Sequence, residues 1–422
     1  MSNIALISAD SHAGLRREDY FDYMEKKYHD DLTAYVAEKR QEVGLAEQFF
    51  KKQLATLGDE EKAKALSADR ERRAQYAVNL SSRVITAEKD GFIAEVLYPD
   101  SSADNEIPFS GVLGGTGRYS RELYTAGLRA YNQWLGENSV PDRQVGLATF
   151  DAQDTDAALF EVKRARSLGL RGVMPEWDGI QGQPLYDEAL DPVWAACVED
   201  GLAVHFHVGS GLPGNVGEQS IGTGYRGMIA FSEMVFWCRR PLWHMIWSGI
   251  LERFPDLRLV FAECFADWIP RTLGHLDWQW ETARAQGLET VPLRPSEYWA
   301  RQCHVCAHAA SLEEWKSRRD IGVDQLMYGT DFPHGGSPWG ISTEFLQATV
   351  GNLDISESEA RAILGENAIR LYDLDMSKLA PVIDRIGHAP SEILGVAATT
   401  DEIVAEFPPK LRSKVFRPPS ML

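Results

Sequence analysis

The sequence has few cysteines and a deficit of positive charge. It contains 5 cysteines in 422 residues, and an odd number spread over so long a chain is not the framework of a disulfide-stapled secreted domain. Lys and Arg number 43 against 62 Asp and Glu, which gives a net charge of −19. A chain this acidic is a poor candidate for binding nucleic acid or an anionic membrane.

Long apolar runs are also missing from the sequence. No stretch approaches the roughly 18 apolar residues of a membrane-spanning helix, and the N-terminal segment lacks the basic region and long apolar run of a secretory signal. We therefore expect a cytoplasmic protein whose partner is a small molecule rather than a membrane or a nucleic acid, and we leave homo-oligomerisation open. Hydrophobic residues make up 44% of the chain, which is enough for a large core.

Short β-like runs alternate with helical patterns along the chain. This alternation indicates parallel βαβ units, and no Gly-x-Gly-x-x-Gly turn follows the first run, as a dinucleotide-binding sheet would require. The pattern therefore predicts an α/β fold, a (β/α)8 TIM-type barrel. The predicted strands are Ile4–Ala9, Ile93–Leu97, Val145–Phe150, Gly172–Met174, Ala203–Phe206, Leu257–Phe261, Gln302–Val305 and Gln325–Tyr328.

The same pattern predicts one barrel domain over residues 1–372 and an extension over residues 373–422. Residues 20–90 are rich in Lys, Glu, Asp, Arg and Ala, and they predict a set of exposed helices inserted after the first strand. The extension lacks the barrel pattern and has Pro-rich ends, which predicts an extended tail.

Polar side chains gather where the predicted strands end, and (β/α)8 enzymes carry their active sites at that end of the barrel. Residues two apart on a strand point the same way, so the pairs that close the first and fifth strands could both face the barrel mouth. Imidazoles and carboxylates that converge on one mouth predict a site for a divalent metal. The candidate residues are Asp10, His12, Glu176, His205, His207, Glu263 and Asp331.

Several motifs resemble the amidohydrolase superfamily, and in particular the branch that contains aminocarboxymuconate-semialdehyde decarboxylase and resorcylate decarboxylases. This resemblance implies a (β/α)8 barrel and a metal-dependent hydrolase or lyase. Such an enzyme would hydrolyse or non-oxidatively decarboxylate a small, carboxylated organic substrate. The motifs are Ile7-Ser-Ala-Asp-Ser-His12, Val204-His-Phe-His-Val-Gly209, Ser248-Gly-Ile-Leu-Glu-Arg-Phe-Pro-Asp256, Glu263 before Trp268-Ile-Pro270, and Gly329-Thr-Asp-Phe-Pro-His334.

The resemblance also implies a role for each site residue. Asp331 would be a metal ligand and the base that takes a proton from a metal-activated water. Glu263 would stay ionised beside the cation and orient that water. His205 would support catalysis from beside its neighbour His207. The implied metal ligands are Asp10, His12, His207 and Asp331.

The ligand set leaves the metal open among Zn, Mn and Fe, and one ion is the main expectation. A second ion would need Glu263 or Glu176 as a further ligand. In that case the chain could be a dinuclear non-haem iron monooxygenase, with Fe/Fe or Fe/Mn, on the same fold. A second alternative is a barrel that has lost catalysis and only binds a partner.

Three residues are candidates for substrate binding. Arg16 and Arg118 fall in predicted βα loops and could hold a carboxylate. Trp177 falls near the end of the fourth strand and could line an aromatic pocket.

Overall fold

The fold is known from a computed structural model, which describes residues 3–41, 60–99, 105–110, 119–180, 182–213 and 225–420. Within these ranges, eight parallel strands form one sheet in which each strand pairs with the next along the chain. The strands are β1 (Leu6–His12), β2 (Phe92–Tyr98), β3 (Gln144–Asp151), β4 (Gly172–Glu176), β5 (Ala203–His207), β6 (Leu259–Ala262), β7 (Cys303–His308) and β8 (Leu326–Gly329).

The first and last strands meet, and this contact nearly closes the sheet into a barrel. The backbone N–H groups of Thr330 and Asp331 donate to the Asp10 carbonyl, at 3.2 and 2.8 Å. The N–H of His12 donates to the Phe332 carbonyl at 2.6 Å. The (β/α)8 barrel predicted from the sequence is therefore confirmed, and the contact places the ends of β1 and β8 side by side.

Helices lie between the strands and cover the outside of the barrel. Apolar side chains fill both the space between helices and sheet and the barrel interior, where Ile7, Val96 and Val260 are buried. The helices of this part of the chain are α4 (Arg121–Asn138), α5 (Thr155–Ser167), α6 (Asp191–Glu199), α7 (Tyr225–Trp237), α8 (Pro241–Trp247), α9 (Ile250–Arg253), α10 (Ile269–Ala285), α11 (Pro295–Gln302), α12 (Leu312–Lys316), α13 (Arg318–Ile321), α14 (Ser342–Thr349), α15 (Glu357–Arg361) and α16 (Asn367–Leu371).

The segment between β1 and β2 is helical wherever the structure describes it. Residues 29–41 form α1, followed by α2 (Glu60–Val78) and α3 (Leu80–Lys89); residues 42–59 lie outside the described residues. Asn79 caps α3 by accepting a hydrogen bond from the Ser82 N–H at 3.0 Å. Helix α3 is not wholly exposed, because it buries Arg83 against the barrel.

The C-terminal segment is helical rather than extended, so the prediction of an extended tail was wrong. It contains α17 (Met376–Ile386), α18 (Pro390–Ile393), α19 (Thr400–Val404) and α20 (Pro409–Val415). Apolar side chains drive this folding, because Phe407, Leu411 and Val415 bury themselves against Phe345 of α14. The chain after residue 373 thus folds back onto the barrel.

Two further expectations can be compared with the structure. All five cysteines are buried and free, as expected for a chain without a disulfide framework. Among the described helices, none is both long and apolar enough to cross a bilayer.

Candidate metal centre

The ends of β1 and β5 bring three side chains together inside the barrel mouth. Asp10 and His12 are 0% and 2% exposed, and their two-residue spacing turns both toward the interior. The Nε2 atom of His12 lies 3.6 Å from Asp10 Oδ1, and the Nε2 atom of His207 lies 3.5 Å from the same oxygen. One carboxylate oxygen is therefore flanked by two imidazole nitrogens.

Backbone carbonyls fix the orientation of both imidazoles. His12 Nδ1 lies 3.0 Å from the Pro99 carbonyl, and His207 Nδ1 lies 3.2 Å from the Val208 carbonyl. A carbonyl only accepts, so each Nδ1 carries the proton and donates it. Each Nε2 then offers a lone pair to the site, which is the arrangement of metal-binding histidines.

The loops after β6 and β8 add two carboxylates. Glu263 Oε2 lies 3.3 Å from His207 Nε2, and Asp331 Oδ1 lies 3.5 Å from His12 Nε2. Both residues have a left-handed backbone, with φ of 51° for Glu263 and 59° for Asp331. Non-glycine residues rarely adopt this conformation, and it concentrates at functional sites.

His334 completes the cluster on the solvent side. Its Nδ1–H donates to Asp331 Oδ1 at 2.6 Å, and its ring packs against that of His12, with 4.0 Å between ring centroids and 36° between the ring planes. The His334 side chain is 33% exposed, whereas Asp331 is nearly buried. His334 therefore connects the Asp331 carboxylate to the surface of the protein.

The donor atoms at the centre of the cluster fit a divalent cation. Among the described residues, Asp10 Oδ1 and Oδ2, His12 Nε2 and His207 Nε2 are buried without a hydrogen-bond partner. Leaving such atoms unpaired in the interior costs free energy unless an ion or another partner satisfies them. Two groups of ligand atoms are close enough to hold a metal: Asp10, His12 and His207, and His12, Glu263, Asp331 and His334.

The protonation states also suit a cation. Burial opposes ionisation of Asp331, but its contacts with His12 and His334 outweigh this and hold its pKa well below the ordinary value. Burial likewise opposes ionisation of Asp10, and His207 and His12 outweigh it, so its pKa is lowered. Burial lowers the pKa of His12 to about 4. At neutral pH the site thus contains a neutral imidazole at His12 beside ionised aspartates.

Glu263 behaves differently from the two aspartates. Burial raises its pKa well above the ordinary value, and the nearby carboxylates of Asp331 and Asp10 add to the effect. The expectation that Glu263 stays ionised depended on a cation at the site. Without one, this carboxyl group favours its protonated form.

The remaining candidate residues differ in their burial and in their contacts. His205 is buried on β5 and shares a hydrogen bond of 2.7 Å with the Tyr98 hydroxyl. Trp177 is buried just after β4, where its Nε1–H donates to Ser210 Oγ at 3.2 Å. Glu176 ends β4 but belongs to neither group of metal-ligand atoms found in the described ranges. Arg16 is exposed, and Arg118 lies outside the described residues.

Sequence reasoning missed two arginines from the inserted helices that hold the mouth in shape. The fully buried Arg83 of α3 pairs with Glu95 of β2 at 2.7 Å and donates to the carbonyls of His12 and Phe332. Arg73 of α2 donates to the Pro333 and His334 carbonyls. No motif marks either residue, because each lies in the segment of residues 20–90, for which the sequence predicts exposed helices.

Comparison with known proteins places the chain in a family. The model of the amidohydrolase family Amidohydro_2 matches residues 107–374, which is more than half of the chain. The chain belongs to this amidohydrolase family. This confirms the resemblance noted in the motifs, and it makes the protein an enzyme.

A curated relative and two solved structures are similar to this amidohydrolase. A 2-amino-3-carboxymuconate-6-semialdehyde decarboxylase of Dictyostelium discoideum is 25% identical over 255 residues, which cover 58% of this chain and 65% of the relative. A 5-carboxyvanillate decarboxylase of Novosphingobium aromaticivorans, complexed with manganese and a nitrobenzoic acid, has 18% identity and a TM-score of 0.59, covering 88% of this chain and 96% of its own. A 2,6-dihydroxybenzoate decarboxylase from Rhizobium has 19% identity and a TM-score of 0.53, with coverages of 69% and 88%.

At these identities, the two structural similarities establish the fold alone. The curated relative is matched over less than two thirds of its length. The family and the donor set together support a divalent metal in this amidohydrolase.

Proposed function

We propose that this amidohydrolase removes the carboxyl group of a small carboxylated aromatic compound without oxidation. The reaction would take place at one divalent ion held by Asp10, His12, His207 and Asp331. The observation that carries this proposal is the convergence of buried, unpartnered donor atoms from Asp10, His12 and His207 at the barrel mouth. Three similar proteins are decarboxylases of carboxylated substrates, and this supports decarboxylation over hydrolysis.

The bound ion would supply a positive charge that polarises substrate oxygen atoms. The protein's own task is proton transfer, which we assign to Asp331 with His334. His334 is partly exposed and donates to Asp331, so it can exchange protons with solvent and pass them to the carboxylate. Asp331 gives this proton to the ring carbon, the bond between that carbon and the substrate carboxylate breaks, and the electron pair of the bond returns to the ring as CO2 leaves.

The proposed ion is manganese, and the proposed count is one. Mixed nitrogen and oxygen ligands suit manganese as well as zinc, and a similar decarboxylase was crystallised with manganese. Glu263 is the residue that tests the count, because its carboxylate belongs to the group of ligand atoms with His12, Asp331 and His334 and not to the group that contains Asp10. Metal analysis of Glu263→Gln tests this. We expect one equivalent to remain in the variant, whereas loss of a second equivalent would support a dinuclear site and reopen the oxygenase alternative.

Trp177 is the proposed aromatic wall of the substrate pocket, since it is buried beside the carboxyl end of β4. Arg16 and Arg118 stay predictions as carboxylate ligands, because Arg16 is exposed and Arg118 lies outside the described residues.

The test of the function is a decarboxylation assay on manganese-loaded protein. The compounds are 2,6-dihydroxybenzoate and 5-carboxyvanillate, and the measurements are CO2 release and, in D2O, the gain of one deuterium at the vacated ring carbon. The matched control is His207→Ala, which should release no CO2. Hydrolysis of an ester or amide by the wild-type protein, with no CO2 from either acid, would contradict the proposal.

A further inference from the structure

Residues near the C-terminus, Arg417 and Ser420, contact Asp267 in the loop that carries Glu263. Arg417 pairs with Asp267 at 3.1 Å and with Glu314 at 3.2 Å, and both carboxylates are nearly inaccessible. Its guanidinium also lies 4.0 Å from the centre of the Phe265 ring. Partly buried pairs of this kind hold a segment more firmly than exposed ones. Helix α20, which ends two residues before Arg417, is thereby held against the carboxyl end of the barrel.

Lys410 of α20 lies against the loop that follows Asp331. A Cβ atom on Gly336 would lie 2.8 Å from Lys410 Cε and 3.3 Å from its Nζ, and one on Gly335 would lie 3.6 Å from Nζ. The φ of Gly336 is 125°, so two separate constraints favour glycine at this point. The loop therefore leaves room for the lysine beside His334.

Lys414 lies one helical turn after Lys410, so both side chains share a face of α20. The positive charge of each acts on Glu263, that of Lys410 also acts on Asp331, and that of Lys414 acts on the buried His308 of β7. In the described part of the chain, neither lysine forms an ion pair with a carboxylate. Two like charges one turn apart repel each other, and an anion between them would offset that cost.

We propose that Lys410 and Lys414 form the anion-binding rim of the active site and hold the carboxylate of the substrate. This inference rests on the proposed function. It gives the C-terminal segment a direct role in substrate binding. Because the carboxylate loses its charge as CO2 leaves, its contact with the lysines weakens toward the transition state, so the contact lowers KM without raising kcat. The two lysines therefore select for carboxylated compounds and contribute little to the chemical step.

The experiment compares two ligands that differ only in the carboxylate, 2,6-dihydroxybenzoate and resorcinol. Their binding to manganese-loaded full-length protein is measured by calorimetry for the wild type, Lys410→Gln, Lys414→Gln and the double variant. We expect the double variant to bind the acid at least ~10-fold more weakly, in line with the loss of charge-assisted hydrogen bonds, and to bind resorcinol within about 2-fold of the wild type. KM of the double variant should rise without a fall in kcat, and Lys414→Arg, which keeps the positive charge, should bind the acid about as well as the wild type.

The control is Lys316→Gln, which removes an exposed lysine that pairs with Glu313 on α12. It should change neither ligand's affinity. Equal weakening of both ligands, or unchanged affinity for the acid in the double variant with melting temperature and metal content intact, would overturn the inference while leaving decarboxylation in place. A wild-type protein that binds neither compound and releases no CO2 would overturn the proposed function and the rim together.

Discussion

His205 and His207 point to the same side of β5 but meet different neighbours. His207 Nε2 lies within 3.5 Å of Asp10 and 3.3 Å of Glu263, whereas His205 contacts the Tyr98 hydroxyl and stacks on Tyr372. Burial lowers the pKa of His205 to about 3, so this imidazole is neutral. His207 is therefore the metal ligand in our proposal. His205 packs with Tyr98 and Tyr372 in the barrel interior.

This difference gives a prediction for two matched variants. His207→Ala should lose most of the bound metal and the activity, because it removes a nitrogen from the donor set. His205→Ala should keep more of both, because its ring touches no member of that set. Metal content measured by mass spectrometry after dialysis checks the prediction. A larger metal loss in His205→Ala would reverse the ligand assignment.

Asp331 combines a ligand role with a proton-transfer role, and a nearly isosteric change should separate them. Asp331→Asn keeps an oxygen for the metal and an acceptor for His334, but an amide cannot take up a proton from His334 and pass it on at neutral pH. Positioned proton transfer is worth about 10²–10⁴-fold, so we expect a folded, metal-containing variant with turnover at least ~10²-fold lower. Asp331→Ala should lose metal as well.

Near-normal CO2 release by metal-loaded Asp331→Asn would remove Asp331 from proton transfer. The proton would then have to come from another group, and Glu263, whose pKa burial raises, would be the next to test.

The sequence was most informative about residues at strand ends. Asp10, His12, His207, Glu263 and Asp331 were all expected at one mouth, and they meet there because parallel strands bring their carboxyl ends to one edge. Residues that our proposal brings to the site from outside the barrel, such as Lys410, could not be predicted in the same way. Their position depends on how the C-terminal helices pack, and the spacing of the lysines alone does not specify that.

At the level of the elements, all eight strands were predicted and the C-terminal helices were not. Period-2 patterns and βα alternation repeat along the barrel, so each strand supports the assignment of the next. Helices α18, α19 and α20 span only four to seven residues each. A helix of one to two turns shows too little periodicity to be recognised in a sequence, and its stability comes from packing rather than from sequence propensity.

Helix α3 contacts the barrel through Arg83, and this contact holds the backbone beside the metal centre. Arg83 and Glu95 are 0% and 2% exposed, and the arginine bridges the carbonyls of His12 and Phe332 at the ends of β1 and β8. Arg83→Met should leave Glu95 buried without its partner, which costs about 3–5 kcal/mol. The measurement is the melting temperature of the metal-free protein.

The double variant Arg83→Met/Glu95→Leu is the control for this prediction. It removes both charges, so it should be less destabilised than Arg83→Met alone. If the double variant is destabilised as much as Arg83→Met or more, the ion pair does not hold α3 against the barrel, and the packing of α3 would have to account for this contact.

At the scale of the whole molecule, buried imidazoles should make the metal-free protein sensitive to mild acid. Burial lowers the pKa of His12 to about 4 and those of His205 and His308 to about 3, whereas histidine in an unfolded chain has a pKa near 6.5. Between about pH 6.5 and pH 4 the unfolded chain therefore binds more protons, and the free energy of unfolding falls as the pH falls, by about 1.4 kcal/mol per pH unit for each fully shifted histidine. Urea denaturation of chelator-treated protein at pH 7.5, 6.5 and 5.5 should show this decline, and His205→Asn should make it shallower by about one proton.

Added manganese should oppose the decline at pH 6.5 and lose this effect toward pH 5.5, because binding requires neutral imidazoles. Equal stability of the chelated protein at pH 7.5 and 5.5 would contradict the burial of these three imidazoles in their neutral form.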